Sequence, residues 1–145
     1  MYAEKAVRAR LLADLEVFGL VGSRIYPVVI PQASTYPAIA YQRISGVHEQ
    51  SQDGLSGLEH PRIQVSCYGN EYAEGQRLAE AVKLAMIPQR SGESSGFPYS
   101  AGNVEVQGVA LEDDADLFEL TEGEGAPRQI GVALDFEVWA TETTN

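Results

Sequence analysis

At 145 residues and 44% apolar composition, the chain fits one domain with an ordinary core and is too apolar for a disordered segment. No apolar run approaches the ~20 residues that cross a bilayer, and the charged, helix-like start Met1-Tyr2-Ala3-Glu4-Lys5-Ala6-Val7-Arg8 lacks the marks of a signal peptide, so the chain is expected to be made and kept in a cytoplasm. A net charge of −11 disfavours nucleic acid as a ligand, and the single cysteine, Cys67, excludes an intramolecular disulfide.

From Tyr2 to Phe18, Val7, Leu11, Leu15 and Phe18 recur at helical spacing, predicting one helix whose stripe they form. Glu4–Arg8 and Arg10–Asp14 are spaced as i,i+4 pairs, and Gly19 and Gly22 supply the stop. Pro27, Pro31 and Pro37 keep the next stretch extended. A strand follows in which Ile39 and Tyr41 alternate with Ala38, Ala40 and Gln42. Residues 45–60 are polar and carry Gly46, Gly54 and Gly57, the composition of a long loop or arm, and connections of that length are often functional. Ile63, Val65 and Cys67 then alternate with Arg62, Gln64 and Ser66, a clearer strand. Asn70 is the expected N-cap of a second helix whose stripe is Leu78, Val82 and Met86, with Ala79, Ala81 and Ala85 allowing close approach and Pro88 ending it.

Residues 89–103, rich in Ser and Gly, read as a surface loop, and Val104 and Val106 mark another strand. Ile130, Val132, Leu134, Phe136 and Val138 alternate without a break, with Asp135, Glu137 and Trp139 on the other face; this is the strongest strand pattern in the chain. Consecutive strands without an intervening helix predict an α+β fold, a mainly antiparallel sheet packed against two helices in a single domain.

The charge is uneven. Residues 1–111 hold eleven acids and nine bases, whereas residues 112–145 hold ten acids and only Arg128. Glu112, Asp113, Asp114, Asp116, Glu119, Glu122 and Glu124 fall in a segment, 112–127, that contains no base. It reads as a solvated, self-repelling loop, or as an acidic surface that meets a basic partner or faces a channel through which DNA slides without sticking.

No catalytic constellation emerges. His48 and His60 border the polar arm beside Glu49 and Glu59, but no third ligand is spaced for a metal, and solvated loop histidines are the plainer reading. Cys67 alternates inward and reads as a buried, inert thiol. Residues 91–96 lack the lysine and following helix of a phosphate loop. Asp114 and Asp116 begin a calcium-loop spacing that the sequence does not complete, though a divalent ion held between subunits by this loop stays open. Basic patches interleaved with aromatics are absent. No cofactor, metal or enzymatic activity is expected.

Four stretches carry a resemblance: Arg24-Ile25-Tyr26-Pro27, Pro37-Ala38-Ile39-Ala40-Tyr41-Gln42-Arg43, Arg62-Ile63-Gln64-Val65-Ser66-Cys67-Tyr68 and Leu134-Asp135-Phe136-Glu137-Val138-Trp139. Their order and spacing, with the helices before the first and after the third, resemble the tail completion (tail terminator) proteins of long-tailed phages and related particles such as gene transfer agents. The resemblance covers nearly the whole chain, 1–145, as one domain with a polar arm at 45–60 and an acidic loop at 112–127, the latter being where it departs from the family pattern. It implies a structural virion protein that forms a ring, expected to be hexameric, at the head-proximal end of a tail tube, ending tube polymerisation and joining the tail to the head connector. The implied partners are copies of the chain, the tube protein and the connector, with DNA passing through the lumen, no sequence-specific nucleic-acid binding and no membrane. His48, Glu49, Asp53, His60, Asp113, Asp114, Asp116 and Glu119 are the candidate interaction residues. The rival readings are another head–tail connector or head-completion subunit and, behind it, a small α+β enzyme or ligand-binding domain.

Overall fold

The unbroken alternation near the C-terminus builds the central strand of the protein. The computed structural model describes residues 3–45, 48–51, 54–87, 99–119 and 129–142. In chain order the elements are α1 (Ala3–Ala13), α2 (Leu15–Val21), β1 (Ile25–Pro27), β2 (Ala38–Ser45), β3 (His48–Ser51), β4 (Gly54–Glu59), β5 (Arg62–Gly69), α3 (Tyr72–Met86), β6 (Tyr99–Ala101), β7 (Val104–Glu119) and β8 (Gln129–Glu142). The architecture is α+β, with, among the described residues, an eight-stranded sheet in which the β1–β2 pair alone is parallel.

Three of the four sequence stretches coincide with β1, β2 and β5, the fourth lies within β8, and these strands are neighbours in that order in the sheet. The rest is arranged around β8. Its one side pairs with β5 through residues 130–137 and with β4 through Ala140 and Thr141, and its other side pairs with β7 along the whole length.

Directly paired residues share a face, so the register assigns the two sides. Ile39, Cys67 and Val132 form one row, Tyr41, Val65 and Leu134 the next, and Arg43, Ile63 and Phe136 a third. This face is covered by all three helices, and its buried residues join Val7, Leu11, Val17, Val21, Leu78, Val82 and Met86 in one core. Burying each large apolar side chain there contributes about 1.5–3 kcal/mol. The opposite face carries Gln42, Gln64, Asp135 and Asp113 in one row and Ala40, Ser66, Ala133 and Ala115 in another.

Two expectations about helices are corrected. The N-terminal helix is not continuous: Asp14 interrupts it because its carboxylate accepts from the backbone N–H of Glu16 (3.1 Å) and Val17 (3.0 Å), capping a second helix. The restart changes the phase. Val7 and Leu11 are buried, but Leu15 is 90% exposed, and Val17 and Val21 take over the inward positions. Among the described residues three helices therefore lie against the sheet, and Glu4 pairs with Arg43 of β2 at 3.1 Å. The cap of α3 is Glu71, with Asn70 one residue earlier and tied by its backbone N–H to Glu74 at 3.1 Å. Its stripe of Leu78, Val82 and Met86 is buried as the spacing predicts.

Two expected loops contain strands. Tyr99–Ala101, inside the Ser/Gly-rich stretch, pairs with Val104–Val106 across a turn at Gly102, whose φ of 62° suits glycine. Tyr99 anchors this edge: its hydroxyl donates to Ala6 O at 3.2 Å and the Arg10 guanidinium lies 4.5 Å over its ring. Burial pushes the Tyr99 phenol up to about 12. The second case is the acidic segment, taken up next.

Candidate functional site

The acids at 112–119 are not on a loop; they are the second half of β7, paired with β8 as far as Glu119 opposite Gln129. The remainder of 112–127 lies outside the described residues. Charge carries no strand periodicity, so only the alternation in β8 could have signalled this partner. A register shift between Leu111 and Asp113 inserts Glu112 as an extra residue and reverses which later positions face the helices. After it, Asp114 and Asp116 stand opposite Leu134 and Val132 on the helix-covered face, while Asp113 stands opposite Asp135 on the open face.

On the helix side the two aspartates meet α3. Lys83 Nζ bonds Asp114 at 3.1 Å and Glu80 at 3.2 Å, and Tyr72 donates its hydroxyl hydrogen to Asp116 at 3.0 Å while accepting from Gln76 at 2.7 Å. The result is a polar groove of about 270 Å³ between α3 and β7, floored by Ala79 and Val132. Its carboxylates are already partnered, which suits surface complementarity and gives no general base or nucleophile. Lys83 and Tyr72 were not candidates in the sequence, because Lys83–Asp114 and Tyr72–Asp116 join residues 31 and 44 apart.

For Lys83, burial alone would lower the pKa, but hydrogen bonds to Asp114 and Glu80 outweigh it and hold the ammonium above the usual 10.5. A raised lysine contributes stability that is complete below the unfolded value and is lost as pH rises through the folded one. Asp114 is half-exposed, so Asp114→Asn is expected to cost only about 0.2–1 kcal/mol at neutral pH. Urea titrations of both proteins should show that difference shrinking above the lysine range. An unchanged difference into strong alkali would contradict the assignment. Tyr72 is likewise raised, chiefly by its hydrogen bond to Asp116.

The open face is a polar ladder. Gln42 Nε2 donates to Gln64 at 3.2 Å, and Gln64 Nε2 donates to Asp135 at 3.0 Å, linking three strands. Arg62 reaches Glu112 at 3.8 Å. Alternation in β2, β5 and β8 made these residues recognisable as outward-facing, though not as a connected set.

Of the long loop or arm expected at 45–60, the described residues form the antiparallel pair β3–β4, with His48 opposite Glu59 and Ser51 opposite Gly54. Glu49 lies on β3; Asp53 is outside the described residues, as are the side chains of His48 and Glu49. His60, expected as a solvated loop histidine, is instead half-buried at the junction of β4 and β5. Its Nδ1 is 2.9 Å from Glu137 Oε1, and its ring stacks on Trp139 with centroids 6.3 Å apart and planes at 17°. The candidates therefore divide into separate groups. His60 joins β8 by Glu137 and Trp139, Asp114 and Asp116 join α3, and Asp113 faces the opposite side from these two.

Among the described residues no three His, Cys, Asp or Glu side chains come together as a metal site. Cys67 is fully buried and burial pushes its thiol far up, so thiolate is scarce. A thiol reagent should label it no faster than the chain unfolds. Rapid labelling under native conditions, with tertiary structure intact, would contradict that burial.

The family model described as tail completion protein gp17 matches residues 5–139. No curated protein sequence matches the chain. Among solved structures, a chain from the "Virion of native gene transfer agent (GTA) particle" superposes with a TM-score of 0.63 at 18% identity, covering 93% of this chain and 91% of that one. At that identity the likeness is one of fold.

Proposed function

The chain belongs to the tail completion protein gp17 family, and from that premise we propose that it is the subunit of a ring that closes the head-proximal end of a tail tube. Proteins of this family are structural and non-enzymatic components of the virion tail. In the proposed role, the ring is a hexamer that stops tube polymerisation and offers its outer surface to the head connector. Such a task needs shaped interfaces and an open centre, and no chemistry.

One observation carries this reading beyond the family: β3 and β4 form an arm at one end of the sheet, joined to β8, among the described residues, by the ladder pairs Leu58↔Thr141 and Glu59↔Ala140. An arm so lightly attached to its own core is suited to lie on another subunit or on the tube. Repetition of one arm-to-body contact is heterologous, and where the rotation closes it generates a ring. The acidic half of β7 complements this. DNA carries one negative charge per ~1.7 Å, so a lumen bordered by the open face, where Asp113 stands opposite Asp135, would let it slide without adhering.

Polymerising tube protein in the presence of this chain tests the proposal. Short tubes, each bearing extra density at one end, are expected. A tube-length distribution unchanged by the protein would overturn it. Asp113→Asn with Asp114→Asn and Asp116→Asn should alter assembly or DNA passage, and wild-type particle yield and infectivity would count against the acidic surface.

A further inference from the structure

Strands β4 and β5 follow one path beside β8, interrupted at His60 and Pro61. Pro61 has no N–H to give to the ladder; its carbonyl accepts from Val138 N–H at 3.0 Å and is the backbone tie at this point. Across from it, β2 shifts register between Arg43 and Ser45 before it ends. An interrupted strand with few ladder bonds beyond it is a place where local opening is cheap. His60 stands at that interruption, held to β8 by Glu137 and Trp139.

Among the described residues, the charged groups near the ring are mostly acidic. Glu137 lies on β8, Glu59 precedes the ring on β4 opposite His48 of β3, and Arg62 of β5 stands opposite Glu137 while its guanidinium reaches Glu112 of β7. Asp135 and Asp113 occupy the next row of the same face. We propose that His60 is a proton-operated latch that fixes the β3–β4 arm against β8. An ionised Glu137 only accepts, so Nδ1 carries the shared hydrogen in both states of the ring. Protonation of the other nitrogen adds to that hydrogen bond the attraction between imidazolium and carboxylate, worth up to about 1 kcal/mol for a partly exposed pair. The arm is held firmly at acidic pH and released by degrees as the imidazolium loses its proton, within the range of about pH 5 to 8 where histidines titrate.

Trp139 is the only tryptophan and lies against the ring, so it reports the event directly; a stacked imidazolium quenches indole emission. In the isolated chain, Trp139 fluorescence is expected to rise through one single-proton transition as pH increases. His60→Asn should abolish that transition, His48→Asn should leave it in place, and Glu137→Gln should move its midpoint to lower pH. Amide exchange in β3 and β4, corrected for the intrinsic effect of pH and compared with β5, should be up to about fivefold faster above the transition than below it. Emission that does not change with pH, a transition that survives in His60→Asn, or arm exchange that does not follow the transition would each overturn the latch. The readouts belong to the isolated chain and are independent of the ring.

Discussion

Phe136→Ala is expected to lower the stability of the protein by about 3–5 kcal/mol, the usual cost of removing a buried phenylalanine and leaving a cavity. Phe136 is fully buried at the centre of β8, in register with Ile63 of β5 on one side and Leu111 of β7 on the other. It belongs to the core that joins the sheet to α1, α2 and α3, so several elements lose contacts together. Against a total of about 5–15 kcal/mol for a domain, the loss is severe. A fall in Tm on the order of 10 °C corresponds to it. Denaturant titration should show a lower midpoint with an unchanged slope. A loss below about 1 kcal/mol would mean that the surrounding side chains close over the vacancy, contrary to a well-packed core.

Gly131→Ala should be the next most damaging change, for steric reasons. A Cβ at this position would lie 2.4 Å from the Cys67 carbonyl oxygen and 2.9 Å from Tyr68 Cδ1. The tyrosine ring can turn aside. The carbonyl is part of the β5 backbone and cannot move without opening the β5–β8 ladder. Overpacking of this kind costs about 1–3 kcal/mol, occasionally more, and the upper end applies where backbone must shift. Gly75 of α3 is the informative comparison. Its Cβ would meet Ile130 O at 3.1 Å and Gly131 Cα at 3.4 Å, a tight fit rather than a collision. Alanine also gains about 1 kcal/mol of helix propensity over glycine. Gly75→Ala should therefore cost less than Gly131→Ala in parallel thermal melts, and the reverse order would contradict the close α3–β8 approach.

What the sequence made legible was periodicity. The alternation in β8 and β5 and the Leu78, Val82, Met86 stripe of α3 are one-dimensional patterns, and each maps directly onto buried positions. The four stretches that carried the family resemblance mark neighbouring strands of the sheet. The capping role of Asp14 was harder to see, because Leu15 and Phe18 continue the apolar spacing while the helix itself restarts. The acidic segment 112–127 has the composition of a loop, and the strand character of its first part, up to Glu119, comes from pairing with β8, a long-range effect. Contacts such as His60–Glu137, 77 residues apart, and Lys83–Asp114 depend wholly on the fold. The partners of the candidate residues and their division between two faces thus required the register.

The central claim, that the chain ends tube growth at the head-proximal end of a tail, is tested most directly by electron microscopy of particles made with its gene disrupted. Tails of uncontrolled length beside unattached heads are the predicted result. Tails of normal length that fail to join heads would move the protein to the connector side of the junction and contradict the terminator reading, and intact particles would contradict any role in tail completion.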